Sequence, residues 1–373
     1  MRIGFDAKRA FFNFSGLGNY SRSLISLLSE YYPSNKYFLY IPKLLSEEAM
    51  QLNPNQYPRF PGSSFSRTFH PLWRSRLVSS QLDKDRLDLY HGLSSELPRN
   101  LDHRGMKKIV TIHDLIFMRE PHLYPFMDRR IYIAKTSYCC EKADWIVAIS
   151  NQTKVDLVEY LHVPEEKIDV VYQACNPIFT RQLKKKEIKQ VLARYELPSE
   201  YILYVGTIEE RKNLLSLVHA METGSIDIPL VAVGRHTPYA SRVKHYIARK
   251  NIRNIIFIEN LPTTDLPALY QKAQLFVYPS TFEGFGLPVL EALYSGTPVI
   301  TGYGEVFREA GGKHTICIHP SRIDELSAAI NRVLTDTSLR KKMIKKGYKH
   351  ALHFTQEDTA KNIMKVYKKA LNS

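Results

Sequence analysis

Short apolar runs alternate with longer amphipathic stretches along nearly all of the 373-residue chain. Runs at residues 2–6, 36–42, 87–92, 108–114, 145–150 and 168–172 read as strands. The pattern restarts at 201–206, 229–234, 255–258, 275–278 and 298–301, with helical periodicity between the runs. Strands alternating with helices predict an α/β protein built on parallel sheets. Residues 53–75, rich in Pro, Ser and aromatics, carry few helix or strand signals. Asn176-Pro177 interrupts the alternation and places a hinge near residues 175–182. This divides the chain into a domain over 1–177, a second over 178–353 and a closing helical segment over 354–373.

The stretch from Tyr278 to Ile300 carries the most chemistry. A buried strand leads into a turn with Gly284, Phe285 and Gly286, and Leu287-Pro288 opens a helix that Ser295-Gly296 ends. Unpaired N–H groups at such a helix start form an anion site. Glu291 reads as lying in the first turn of that helix. A carboxylate there suits two adjacent ribose hydroxyls better than a phosphate. Glu283 stands in the loop on the approach to the same pocket.

Strand ends carry the other candidates, because ligands of open α/β sheets bind beyond the carboxyl ends of the strands. His91 and His113 end two strands of the first half. Gly16-Leu17-Gly18 feeds a helix and permits close backbone approach, although glycine alone is a weak signal. Ser150 reads as a helix cap. In the second half, Gly206 ends a strand and Arg211-Lys212 precede a helix, which suits an anionic diphosphate. Gly234-Arg235 and Asn260-Leu261 follow further strand ends.

Hydrophobic content of 44% and charged content of 24% are ordinary for a globular protein. No apolar run is long enough to span a bilayer, and the chain begins at once as a strand, so no signal peptide is expected. Cys139 and Cys140 are adjacent while Cys175 and Cys317 are isolated. Reduced thiols in a cytoplasmic protein are therefore expected, with no metal site. The net charge is +15. Residues 1–180 hold 23 Lys/Arg and 19 Asp/Glu, so +4, and residues 181–373 hold 29 and 18, so +11. Solubility with a diphosphate site accounts for the excess, and contact with an anionic membrane is a second reading. Two segments bear on it. Phe65, Phe69, Leu72 and Trp73 lie beside Arg67, Arg74 and Arg76, as a covered loop or a surface for membrane or acceptor. Residues 340–347 read as a basic helix end.

Phe-Glu-Gly-Phe-Gly-Leu-Pro-x-x-Glu over 282–291 resembles the signature of family 4 retaining glycosyltransferases of the GT-B fold. The resemblance extends to Gly206, Arg211, Lys212 and Asn213, to Thr-Ile-His113-Asp114, and to the Gly16–Gly18 loop, where Ser15 replaces a frequent first glycine. It implies two Rossmann-like domains facing each other across a cleft, the first binding acceptor and the second a nucleotide sugar. It assigns catalytic roles to His113, Glu283, Arg211 and Lys212. Gly16, Leu17, Gly18, Gly206, Gly234, Leu261, Gly284, Phe285, Gly286, Leu287 and Glu291 would bind donor. It also implies retention of configuration, no metal and no cofactor beyond the donor, with Glu283 orienting sugar hydroxyls rather than attacking. The detail most resembles bacterial mannosyltransferases of glycan assembly, which makes GDP-mannose the favoured donor and a saccharide or lipid-linked molecule the acceptor. Three other readings stand beside it. A nucleotide-sugar epimerase shares the layout. A dinucleotide oxidoreductase lacks its Gly-x-Gly-x-x-Gly here. A nucleic-acid or other anion-binding protein would explain the charge but not the Glu pair, and no nucleic-acid motif supports it.

Overall fold

The computed structural model describes residues 1–13, 15–45, 50–63, 68–101 and 105–373. The chain forms two compact units, Met1–Ala174 with Thr355–Ser373, and Cys175–Phe354.

Among the described residues, the first unit holds a seven-stranded sheet. Its strands are β1 (Arg2–Asp6), β2 (Lys36–Tyr40), β3 (Gln56–Arg59), β4 (Leu89–Gly92), β5 (Lys107–Ile112), β6 (Trp145–Ala148) and β7 (Ile168–Val170). They run parallel in the order β3-β2-β1-β4-β5-β6-β7, with Ile3 opposite Tyr37 on one side and Leu89 on the other. Both faces are covered, so the strand interiors are apolar in unbroken runs. One face packs Phe38, Tyr40, Trp73 and Val110. The other packs Ile3, Phe5 and Leu24 under the helix Gln356–Asn372, which buries Ile363, Met364, Val366 and Tyr367 there.

The second unit repeats the plan with β8 (Ile202–Val205), β9 (Leu230–Val233), β10 (Ile255–Ile258), β11 (Leu275–Tyr278), β12 (Val299–Gly302) and β13 (Ile316–Ile318). The order is β10-β9-β8-β11-β12-β13, again parallel. In each unit the chain reverses its direction of travel across the sheet at one place: between β1 and β4, and between β8 and β11. A crevice opens at such a switch point, beyond the carboxyl ends of the two strands.

Several expectations need correction. Residues 53–75 contain β3 and helical turns at His70–Leu72 and Trp73–Leu77. β3 escaped notice because Pro58 lies inside it, which an edge strand tolerates since one side needs no ladder bonds. Trp73 is 3% exposed, a core anchor, while Phe69 is exposed; Phe65 and Arg67 lie outside the described residues. β13 was missed because it is a short, half-buried edge strand. The basic residues 340–347 lie within the helix Thr337–Ala351 rather than at its end. Gly16 is not in a loop but is the first residue of the helix Gly16–Tyr31. Among the described residues, no helix is long and apolar enough to cross a membrane.

Candidate active site

In the second unit the chemistry collects at the switch point. Arg211 and Lys212 follow β8, Glu283 follows β11, and main-chain bonds tie the two loops. Thr281 N–H donates to the Arg211 carbonyl at 2.9 Å, and the Arg211 guanidinium donates to the Phe282 carbonyl at 2.6 Å. Glu283 Oε1 collects both cations, Arg211 at 2.7 Å and Lys212 at 2.6 Å. The Ser280 hydroxyl at 2.5 Å and the Tyr278 hydroxyl at 3.0 Å donate to the same oxygen. Lys212 also contacts the Tyr278 hydroxyl. Glu283 Oε2 has no protein partner among the described residues, so it is the oxygen left for a ligand.

Burial alone would push the Glu283 carboxyl up. The charges of Arg211 and Lys212, with donation from Lys212 and Ser280, outweigh it and hold Glu283 at about 2. Burial brings Lys212 below its ordinary value, although Glu283 pulls it upward. Arg211 moves upward because Glu283, Tyr278 and Glu209 outweigh its burial. Arg211 also donates to Glu209 at 2.8 Å.

The helix Leu287–Tyr294 starts after Gly286, whose φ of 109° favours glycine. Glu291 is thus its fifth residue, beyond the first turn where the sequence reading put it. Counting from Leu287 moves the carboxylate one turn away from the free N–H groups. The Tyr270 hydroxyl donates to Glu291 at 3.0 Å. Burial raises Glu291 to about 7 against that hydrogen bond.

The remaining candidates divide. Gly206 and Gly234 lie together: a Cβ on Gly234 would fall on the Gly206 carbonyl oxygen. Gly284 and Leu287 flank the turn. Phe285 is 2% exposed, with its ring 5.5 Å from that of Phe354. Leu261 follows β10, two strands away from β8.

In the first unit, His113 follows β5 and is 8% exposed. Its Nε2 lies 2.9 Å from the Leu93 carbonyl, which can only accept, so Nε2 carries the proton. Nδ1 is then the lone-pair nitrogen. Burial lowers His113 to about 4, only partly offset by that bond, so it is neutral at pH 7. Tyr20, from the helix Gly16–Tyr31, holds the ring edge-on at 4.6 Å. Leu17 and Gly18 lie in the first turn of that helix. Asn13 Oδ1 accepts from Ser15 N–H at 2.8 Å and from Gly18 N–H at 3.3 Å. Ser150 caps the helix Asn151–Leu161 by accepting from Thr153 N–H at 3.0 Å, and Thr153 in turn donates to the His113 carbonyl at 3.2 Å. His91 is structural, bonding to Thr111 at 2.8 Å and to Tyr367 at 2.7 Å.

Reading the sequence did not find Tyr278 and Ser280 on Glu283, Tyr270 on Glu291, or Tyr20 on His113. Tyrosines in apolar runs read as core, and only their hydroxyl partners distinguish them. A cavity of about 640 Å³ in the first unit was also not anticipated. Asp6 and Arg74 line it, paired at 2.6 Å, and Arg74 also contacts Glu96.

Residues 184–350 match the family described as glycosyl transferases group 1, and residues 36–177 match glycosyltransferase family 4. The chain is 31% identical to the O-antigen chain mannosyltransferase B of Escherichia coli over 289 residues, 75% of this chain and 74% of that protein. It is 27% identical to the serotype-specific mannosyltransferase WbdA of Escherichia coli over 280 residues. That match takes in 72% of this chain but 34% of WbdA, so it corresponds to about a third of that protein. Among solved structures, sucrose-phosphate synthase from Thermosynechococcus elongatus superposes with a TM-score of 0.78 at 20% identity, covering 99% of this chain and 98% of that one. At that identity the likeness speaks for the fold, two Rossmann-like units of the GT-B type.

Proposed function

The chain belongs to the family 4, group 1 glycosyl transferases, and from that premise we propose that it transfers mannose from GDP-mannose to a saccharide or lipid-linked acceptor in bacterial polysaccharide assembly. The observation that carries the reading is Glu283. Its Oε1 gathers Arg211 and Lys212, while among the described residues its Oε2 has no hydrogen-bond partner. The carboxylate thereby holds two cations where a diphosphate would lie and keeps one oxygen for a sugar hydroxyl.

Cleaving the bond from sugar to phosphate builds negative charge on the departing diphosphate. Arg211 and Lys212 are already oriented and largely desolvated, so they stabilise that charge without reorganising. Glu283, ionised well below pH 7, orients the sugar. Glu291 accepts from the ribose hydroxyls. In the first unit, neutral His113 offers Nδ1 to the transferred sugar. The family chemistry retains configuration, with the donor phosphate taking the acceptor proton, and needs no protein nucleophile. The names of both mannosyltransferase relatives support mannose, and that of the O-antigen chain mannosyltransferase supports polysaccharide assembly. We place the protein in the cytoplasm, peripheral on the inner membrane face where a lipid-linked acceptor would stand.

Calorimetric titration with GDP, UDP and ADP, each in EDTA, tests this. GDP is expected to bind selectively, and Lys212→Ala to weaken it about 10- to 100-fold, the worth of a charge-assisted bond. His113→Ala should keep GDP affinity and lose GDP release from GDP-mannose. Equal affinity in Lys212→Ala would remove the diphosphate assignment.

A further inference from the structure

Arg211 and Lys212 account for little of the positive charge in the second half. Residues 305–353 hold ten Lys/Arg and five Asp/Glu, so +5 of the +11 carried by residues 181–373. Part of that charge converges on one place. A cavity of about 760 Å³ opens among the helix Glu305–Gly311, the turn and strand β13 that follow it, and the end of the helix Thr337–Ala351. It shares no residue with the candidate active site. Arg308 comes from the first helix, Lys313 from the turn, and Lys346 and Lys349 from the second helix. Among the described residues, none of these four is paired with a carboxylate, and Arg308 lies 5.8 Å over the Tyr303 ring. The wall between the two helices is fixed. His350 Nε2 donates to the Glu309 carbonyl at 2.9 Å, and its ring presses on Gly312, where an added Cβ would come within 2.7 Å of it.

Like charges on one helix face destabilise the helix, and Thr337–Ala351 holds no acidic residue to offset them. The dipole at its carboxyl end accounts for Lys349 and His350. It does not account for Arg308 and Lys313, which other elements bring to the same cavity. Cations gathered from three elements without carboxylate partners raise the local potential and draw an anion. The volume is that of a small-molecule pocket. The lining has no large apolar side chain to enter a bilayer, and no Phe, Tyr or Trp on which the bases of a single strand would stack. Glu305 and Glu309 line it as well, so a ligand made only of phosphate would meet repulsion there. We propose that this cavity is a second ligand site, separate from the donor pocket, that binds a phosphorylated sugar. Its phosphate meets Arg308, Lys313, Lys346 and Lys349, the arginine bidentately and the lysines as point charges. Its hydroxyls donate to Glu305.

The test is calorimetric titration of the full chain with mannose 6-phosphate, inorganic phosphate and mannose, each with and without saturating GDP. Mannose 6-phosphate is expected to bind with an affinity that GDP does not change, inorganic phosphate at least about tenfold more weakly, and mannose not at all. Lys346→Gln with Lys349→Gln, and separately Arg308→Gln with Lys313→Gln, should each weaken mannose 6-phosphate by at least about tenfold and leave GDP affinity unchanged. Lys341→Gln with Lys342→Gln removes the same charge from the same helix outside the cavity, and should leave both affinities nearly unchanged. An equal loss in that variant would reduce the effect to general charge attraction and overturn the site. Wild-type affinity in either cavity variant, displacement of the probe by GDP, or no binding of mannose 6-phosphate would overturn it too. Inorganic phosphate binding as tightly as mannose 6-phosphate would overturn the assignment to a sugar. Lys212→Ala separates this site from the donor reading: it should weaken GDP and spare mannose 6-phosphate, and the failure of either ligand to bind leaves the other site standing.

Discussion

Glu283 and Glu291 are separated by seven residues and sit in opposite electrostatic environments. Two cations hold the first at about 2, and burial lifts the second to about 7. One carboxylate is therefore ionised across the working range while the other titrates within it. Glu291 keeps its proton to higher pH when folded than its ordinary 4.5. Its contribution to stability is complete below 4.5 and is lost as pH rises through about 7. Only the ionised form accepts from both ribose hydroxyls. GDP affinity should therefore rise through about pH 7 in the wild type. Glu291→Gln should bind more weakly at pH 8, with the Glu291 contribution to the pH profile gone. Calorimetry across that range checks this, and superimposable profiles would reject the ribose role. The sequence showed the glutamate spacing, but a pKa depends on Arg211, Lys212 and Tyr270, which come from other elements.

At the scale of elements, the helix Gly16–Tyr31 shows how much a pair of glycines conceals. Both were legible as a Gly-rich segment, yet they differ physically. A Cβ on Gly16 would meet nothing within 4 Å, whereas one on Gly18 would fall on the Asn13 carbonyl oxygen. Gly18→Ala must displace the turn that Asn13 caps and should cost about 1–3 kcal/mol in urea unfolding. Gly16→Ala should change stability by less than about 1 kcal/mol, in the stabilising direction if anything, because alanine suits a helix better. Equal effects would contradict the packing described. Most strands were readable from their apolar runs. β3 and β13 were not: Pro58 interrupts the first, and the second is three residues long and half-buried.

Across the whole molecule, the last helix is distant in sequence from the sheet that it covers. Tyr367 bonds to His91 and packs with Ile3 and Phe5 in one buried cluster. Tyr367→Phe should cost about 1–3 kcal/mol, since it leaves a buried imidazole nitrogen without its partner. Ending the chain after Phe354 should unfold the first unit and spare the second. Calorimetry would then show one transition remaining and GDP binding retained. Loss of both together would mean that the second unit depends on that helix.

The sequence by itself determined the class of fold and the kind of chemistry. A parallel sheet covered on both faces demands apolar strands, and glycine, proline and paired charges at strand ends leave marks that survive without coordinates. Only the tertiary structure decided the rest. It set which glutamate is charged, which imidazole nitrogen is free, where Asn13 takes the cap, and that Phe126 and Met127 face outward. Each depends on groups distant along the chain being brought within a few ångströms, and burial and Coulomb interaction act over that distance rather than along the sequence.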